Sequence, residues 1–318
     1  MSSPSDVNEI YLSSSPHFSA KRNTSTIMLC VIIALLPLCV YGVILFGLPA
    51  FLTIFVSVTS CVVFEWLFQK AAKQPVRVRD LSAIVTGIML ALVLPPATPV
   101  WMTMLGALFA IVVAKAFFGG IGANVFNPAL TGRAFLFVSF PVVMSTWTLP
   151  FDGVSGATVL STIKGGTFSA DANTYLQYFL GNRAGCIGET SVLLILVAFV
   201  FLLVTKIIDW RAPVAMIAVS TLCTWLSGGD PLMNILSGGL MFGAVFMVTD
   251  YATSPVTKYG RLLFGAGCGL ITFLIRKFGS NPEGVMFSIL IMNALTPFLN
   301  KLIPVKYGYK KIRKGVAK

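Results

Sequence analysis

Residues 152 to 162 read DGVSGATVLST, a run of hydroxyls and small side chains between long apolar stretches. Ser155 and Thr158 could serve as nucleophiles, or as acceptors of a group placed by a modifying enzyme, because Gly156 and Ala157 leave the hydroxyls accessible. A plainer reading is a turn, in which glycine supplies positive φ while Asp152 and Ser155 bond their own backbone. Nucleophilic catalysis is the weakest of the three. An unactivated hydroxyl needs a neighbouring base, and the single histidine, His17, sits in the polar N-terminal stretch, expected on the opposite face.

Other polar residues interrupt apolar sequence. Asp250 follows the run MFGAVFMV, where a carboxylate is either an ion-coupling group at membrane depth or an interfacial cap. Glu65, before Trp66, poses the same choice. Gly188, Glu189 and Thr190 open an apolar run, and the amides of such a helix start suit an anion, with Thr190 or Ser191 as the cap. Gly119, Gly120 and Gly122, followed by Asn124, Asn127 and Pro128, permit close backbone approach to a helix or to a flat ligand.

The elements that hold these residues follow from composition. With 56% hydrophobic and 11% charged residues and a mean hydropathy of +0.88, the chain is a polytopic membrane protein. Its net charge of +12 sits in short segments between apolar spans, so it sets topology; nucleic acid is not an expected partner. Six isolated cysteines without a CxxC pair imply neither a disulfide framework nor a metal site, and one histidine cannot hold a haem between two imidazoles. A window of about twenty residues places helices near 25–46, 48–69, 81–95, 99–118, 128–146, 188–206, 211–227, 231–249, 260–278 and 284–303. The third is short and ends in Leu94-Pro95-Pro96, as a half-span does. With both termini inside, nearly all Lys and Arg fall on cytoplasmic segments. The outer ones hold Lys164, Arg183, Arg276 and Lys277, and Arg133 stays unassigned near a helix start.

That orientation puts the longest loop, with Thr158, on the outer face. The two halves echo each other, with LSAIVTGIMLALVLPPATPV then NPALTGRAF in the first and ILSGGLMFGAVFMVTDYATSPV then NALTPF in the second. Five helices per repeat is an odd number, so the copies should be inverted. The expected architecture is all-α, with about ten transmembrane helices as two inverted five-helix repeats. Its parts are a cytoplasmic segment 1–26, a first repeat 27–146, an external loop 147–187, a second repeat 188–303 and a basic tail 304–318.

Asp152, Ser155, Gly156, Ala157 and Thr158 together resemble the flavinylation motif: an acidic residue, Ser or Thr three positions on, then Gly-Ala-Thr. The resemblance implies that a separate flavin transferase esterifies FMN through its phosphate to Thr158. Beyond the motif, KQPVRVRDLSAIVTGIMLALVLPP, FFGGIGANVFNPALTGRAF, GETS and TDYATSPV make the whole chain similar to one membrane-protein family. It contains the D subunit of the Rnf complex, an ion-translocating ferredoxin:NAD oxidoreductase, and the B subunit of the sodium-translocating NADH:quinone oxidoreductase. It implies an electron-transfer subunit of a prokaryotic inner-membrane complex that couples redox to Na+ or H+ movement. Implied partners are membrane and peripheral subunits, including a second covalent flavoprotein and iron–sulfur subunits; riboflavin is an implied second, non-covalent flavin. With Thr158 as the FMN site, Gly188, Glu189 and Thr190 become candidate phosphate neighbours and Asp250 the candidate for ion coupling. A solute channel or transporter with a merely structural loop is the alternative.

Overall fold

The computed structural model describes residues 23–76, 78–151, 155–156, 172–279 and 283–302. Helix α1 (Thr24–Phe46) runs through Gly47 into α2 (Leu48–Ala71). Gly47 has a φ of 68°, which lets the chain reverse at once. Next come α3 (Ser82–Leu92), α4 (Val100–Leu108, continuing as a π-helix over Phe109–Ala116), α5 (Pro128–Ser139) and α6 (Pro141–Met144). Strands β1 (Trp147–Thr148) and β2 (Ser155–Gly156) pair antiparallel, Trp147 opposite Gly156. After α7 (Ala172–Leu180) the second half holds α8 (Val192–Val204), α9 (Arg211–Leu226), α10 (Pro231–Leu236), α11 (Leu240–Phe242, continuing as a π-helix over Gly243–Met247), α12 (Lys258–Phe278) and α13 (Val285–Leu302). Four of these, α1, α2, α12 and α13, are long and apolar enough to cross a membrane unaided. The remaining spans are broken or shorter. Exposed Ile44, Phe55, Val138, Val204 and Phe278 form the lipid-facing surface expected when no water surrounds the bundle.

Packing repeats between the halves: α2 lies along α3 and α4, and α9 along α10 and α12; α4 packs on α5, and α12 on α13. The halves are inverted relative to each other. One cavity gathers the N-terminal turns of α1 and α3 with the C-terminal ends of their counterparts, α8 and the π-helix after α11. Close crossings hold each half. On α12, Gly265 and Gly269 lie against the backbone of α9 at Ala212 and Met216, where any Cβ would collide.

The structure departs from the sequence reading at several points, among them the span expected at 128–146, which breaks at Phe140 into α5 and α6. The span expected at 231–249 is two short helices parted by Ser237-Gly238-Gly239, because Gly238 takes a φ of 62°. The one expected at 188–206 begins only at Val192, capped by Ser191, whose hydroxyl accepts from the Leu194 amide. The matched NPALT and NALT segments are not equivalent either: Asn127 caps the start of α5, whereas Asn293 lies buried inside α13. The half-span expectation does match α3, which stops at Leu92. Its loose carbonyls are taken up by a segment far along the chain. The Ile187 amide donates to Leu94 O, the Gly188 amide to Leu92 O at 2.7 Å, and the Cys186 thiol to Val93 O at 3.0 Å.

Candidate functional site

At the end of the bundle where α1 and α3 begin, a cavity of about 280 Å³ lies between the two halves. Its walls are apolar, including Met28, Val31, Met89 and Phe246, and its rim carries Lys115, Asn124, Asn127 and Asp250. That combination, a mostly apolar slot with a few fixed polar groups, is the usual constitution of a site for an organic ligand. Asn127 holds its place by accepting from the Leu130 amide with Oδ1, at 3.3 Å, as the N-cap of α5. This leaves its side-chain NH2 without a partner among the described residues. Asn124 donates to Phe126 O at 3.2 Å, which leaves its own carbonyl available.

Lys115 was legible only as a topology-setting charge; the structure buries it to 3% exposure. The π-helical turn carries its ammonium to Glu65 Oε1 at 2.8 Å and to Ser82 Oγ at 2.6 Å, and Ser82 in turn donates to Asp80 Oδ1 at 2.6 Å. One buried cation thus ties the ends of α2 and α4 to the first residue of α3. Such a turn inside a helix commonly marks a functional position. Asp250, at the opposite wall, has no basic partner among the described residues. It accepts from Thr253 Oγ1 at 3.1 Å and from the Ala252 amide, so the carboxylate both organises the chain break and lines the cavity.

The other end of the bundle holds a second buried charge cluster. Arg133, unassigned in the sequence, lies within α5 and reaches Glu283 Oε2 at 2.6 Å, Glu189 Oε1 at 3.5 Å and Cys186 Sγ at 3.4 Å. Arg183 donates to the Glu189 carbonyl, and Arg276 donates to Asn234 O and Oδ1 and to Ser237 O. Arg276 mirrors Lys115: in each half a cation near the end of the fourth spanning element braces the start of the third, broken one. Cys186, Glu189 and Glu283 bring donor atoms within 4.8 Å of one another. With Arg133 already seated on both carboxylates, and Arg183 and Arg276 close by, the chemistry is that of an ion-pair network rather than a cation cage.

Of the residues singled out in the sequence, Asp152, Ala157 and Thr158 lie outside the described residues. Ser155 and Gly156 enter through their backbone, paired with Trp147 and Thr148 at the base of the loop. Gly188 and Glu189 do not present free amides to a phosphate. The Gly188 amide is spent on Leu92 O, the Glu189 amide bonds Cys186 O, and the Glu189 carboxylate belongs to the Arg133 network. Thr190 is buried and directs its hydroxyl to Ile187 O. Sequence reading missed Arg133, Lys115, Arg276 and Cys186 as a set. The available signal was the presence of single cations inside apolar runs, which are rare unless paired or functional.

The chain matches known proteins over nearly its whole length. A family profile described as the NQR2, RnfD, RnfE family covers residues 11–308. The chain is 44% identical over 315 residues to the D subunit of the Na(+)-translocating ferredoxin:NAD(+) oxidoreductase complex of Acetobacterium woodii, covering 97% of this chain and 99% of that one. It is 41% identical to the D subunit of the proton-translocating ferredoxin:NAD(+) oxidoreductase complex of Clostridium ljungdahlii, covering 94% and 96%. Identity to the D subunit of the ion-translocating oxidoreductase complex of Stutzerimonas stutzeri is 38%, covering 91% and 93%.

Proposed function

We propose, from the premise that this chain belongs to the NQR2, RnfD, RnfE family, that it is the D-type membrane subunit of an ion-translocating ferredoxin:NAD oxidoreductase complex. The observation that carries this reading is the end-to-end match to the D subunits of two such complexes. One of those relatives is named for Na+ and the other for protons, so the name-level likeness leaves the coupled ion open. Partner subunits would supply ferredoxin oxidation and NAD reduction, since no dinucleotide-binding glycine fingerprint or cluster-type cysteine run occurs here.

Two flavin positions fit this reading. FMN would be esterified to Thr158, supported by the complete Asp-x-x-Ser-Gly-Ala-Thr pattern and by the anchoring of its loop. The Phe151 amide donates to Leu45 O at the end of α1, and the β1–β2 pair closes the loop's base. Riboflavin would occupy the cavity between the repeats: the apolar walls suit a planar ring, while Asn124 and Asn127 offer an unused acceptor and donor to its polar edge. A flavin exchanges electrons singly or in pairs, which suits iron–sulfur partners. The chain's own contribution is placement and electrostatics. Lys115, held by Glu65 and Ser82, keeps a fixed positive charge at one wall, and Asp250 places a carboxylate at the other. Negative charge arriving there would strengthen cation attraction near Asp250, because low-dielectric surroundings screen it poorly. Termini on the cytoplasmic side and the Thr158 loop outside complete the proposed topology.

Intact mass measurement of the chain, produced beside a flavin transferase, tests the covalent part; peptide mapping should place added FMN on Thr158. An unmodified mass under those conditions would overturn it and favour a channel or transporter. Riboflavin is tested separately, because it should be released on denaturation while FMN stays attached.

A further inference from the structure

A second recess, of about 460 Å³, opens beside the inner cavity where α8 ends and α9 and α12 begin. Its charged groups are Lys206, Asp209, Arg211 and Arg261, three cations against one carboxylate, and Trp210 stands half-exposed at its edge. Asp209 organises the arginines, accepting from Arg211 Nη1 at 2.8 Å and from Arg261 Nη1 at 3.0 Å through the same oxygen, Oδ2. Arg261 Nε is fixed by Pro255 O, and the Arg211 guanidinium stacks 5.3 Å from the Trp210 ring. Two positive forks are therefore held in place while only one negative charge offsets them.

Lys206 is the third cation of the recess. It adopts a left-handed φ of 55°, the conformation that glycine occupies most easily at a helix end. Yet its side chain is exposed, and its ammonium makes no hydrogen bond or ion pair among the described residues. The left-handed conformation caps α8, the Lys206 amide donating to Leu203 O at 2.9 Å and the Ile207 amide to Leu202 O at 3.0 Å, and it leaves the ammonium available to a ligand beside the two oriented arginines. Leu203 lines the recess, and the next residue of α8, Val204, is an apolar side chain left 75% exposed. An anionic head with attached hydrocarbon tails fits both surfaces at once. Tryptophan at such a level is the usual companion of a membrane–water boundary.

We propose that this recess binds the phosphate headgroup of an anionic phospholipid, with Lys206, Arg211 and Arg261 on the phosphate and an acyl chain along Leu203 and Val204. Nothing in this assignment depends on a flavin at Thr158 or in the inner cavity. Basic recesses between membrane helices bind such headgroups elsewhere by the same charge complementarity.

Quenching of tryptophan fluorescence by bromine-labelled acyl chains tests it in the purified complex. Brominated phosphatidylglycerol is compared with brominated phosphatidylcholine, and a Trp210→Phe variant isolates the Trp210 signal. Phosphatidylglycerol should quench Trp210 at several-fold lower mole fraction, and Lys206→Gln should weaken that preference by roughly fivefold. The Lys206 change removes no internal contact, so loss of folding does not confuse the result; Arg261→Gln serves as the second variant. Equal quenching by both lipids, or a preference untouched by both substitutions, overturns the proposal. Displacement of the labelled lipid by millimolar inorganic phosphate would also overturn it, by identifying a soluble phosphate ligand. Absence of quenching by either lipid in the complex would do the same, by showing that a partner subunit covers the recess.

Discussion

Replacing Arg133 by Met isolates the energetic role of the buried network. Arg133 is 6% exposed and is the group in contact with both carboxylates, at 2.6 Å to Glu283 and 3.5 Å to Glu189. Methionine fills much of the arginine stem's volume, so the change removes charge with little cavity. Deleting one partner of a buried pair typically costs about 3–5 kcal/mol, because the remaining charge is left uncompensated. Glu283 has a side chain 20% exposed and can recover water, whereas Glu189, at 3%, cannot. The cost therefore falls mainly on Glu189 and should lie near the low end, about 3 kcal/mol. Reversible denaturation in mixed detergent micelles, followed by tryptophan fluorescence, measures it. The double variant Arg133→Met/Glu189→Gln should recover a substantial part, with a coupling energy of about 1–3 kcal/mol. A loss below about 1 kcal/mol for the single change, or strict additivity in the pair, would mean that the guanidinium is solvated by something other than these carboxylates.

Further outcomes follow from the same geometry. Thr158→Ala should abolish covalent FMN while leaving the subunit assembled, read by in-gel flavin fluorescence; flavin retained on the denatured variant would place attachment elsewhere. Asn127→Leu should lower extractable riboflavin without altering covalent FMN, since the α5 cap and the cavity rim are both lost while the outer loop is untouched; unchanged riboflavin content would remove it from the cavity. Gly269→Leu should prevent the α9–α12 crossing and reduce folded yield sharply, because the Met216 carbonyl occupies the space that a side chain needs. Partial burial raises the pKa of Asp209, but hydrogen bonds from the Arg211 amide and from the Arg211 and Arg261 guanidiniums outweigh this and hold it below the usual carboxylate value. Its contribution to stability is thus complete above the unfolded-state pKa and is lost as pH falls through the folded-state value. Asp209→Asn should flatten that acid limb in a stability–pH titration, and an unaltered limb would show that another group carries it.

Much of the architecture was legible because the bilayer imposes a one-dimensional rule. A span must be long, apolar and internally hydrogen-bonded, so α1, α2, α12 and α13 could be read from hydropathy almost to the residue. A break near Leu94-Pro95-Pro96 was legible from consecutive prolines, although α3 ends earlier, at Leu92, and inversion of the halves was expected from the odd helix count. The motif around Thr158 is likewise a property of the sequence, since a modifying enzyme reads a short segment in order.

Distant contacts are another matter. That Cys186, Ile187 and Gly188 close the open end of α3, and that Arg133 meets Glu189 and Glu283, follows from chain segments that approach only after both repeats have packed. A lone Lys115 or Arg133 in an apolar run announces that a partner must exist, since an unpaired charge there is too costly to bury. Which partner it is depends on rotation and depth, which hydropathy does not carry. Sequence alone determined the four long apolar helices; tertiary packing decided which charges meet inside the bundle, because the compensation of buried charge is set by distances of a few ångströms between residues far apart in the chain.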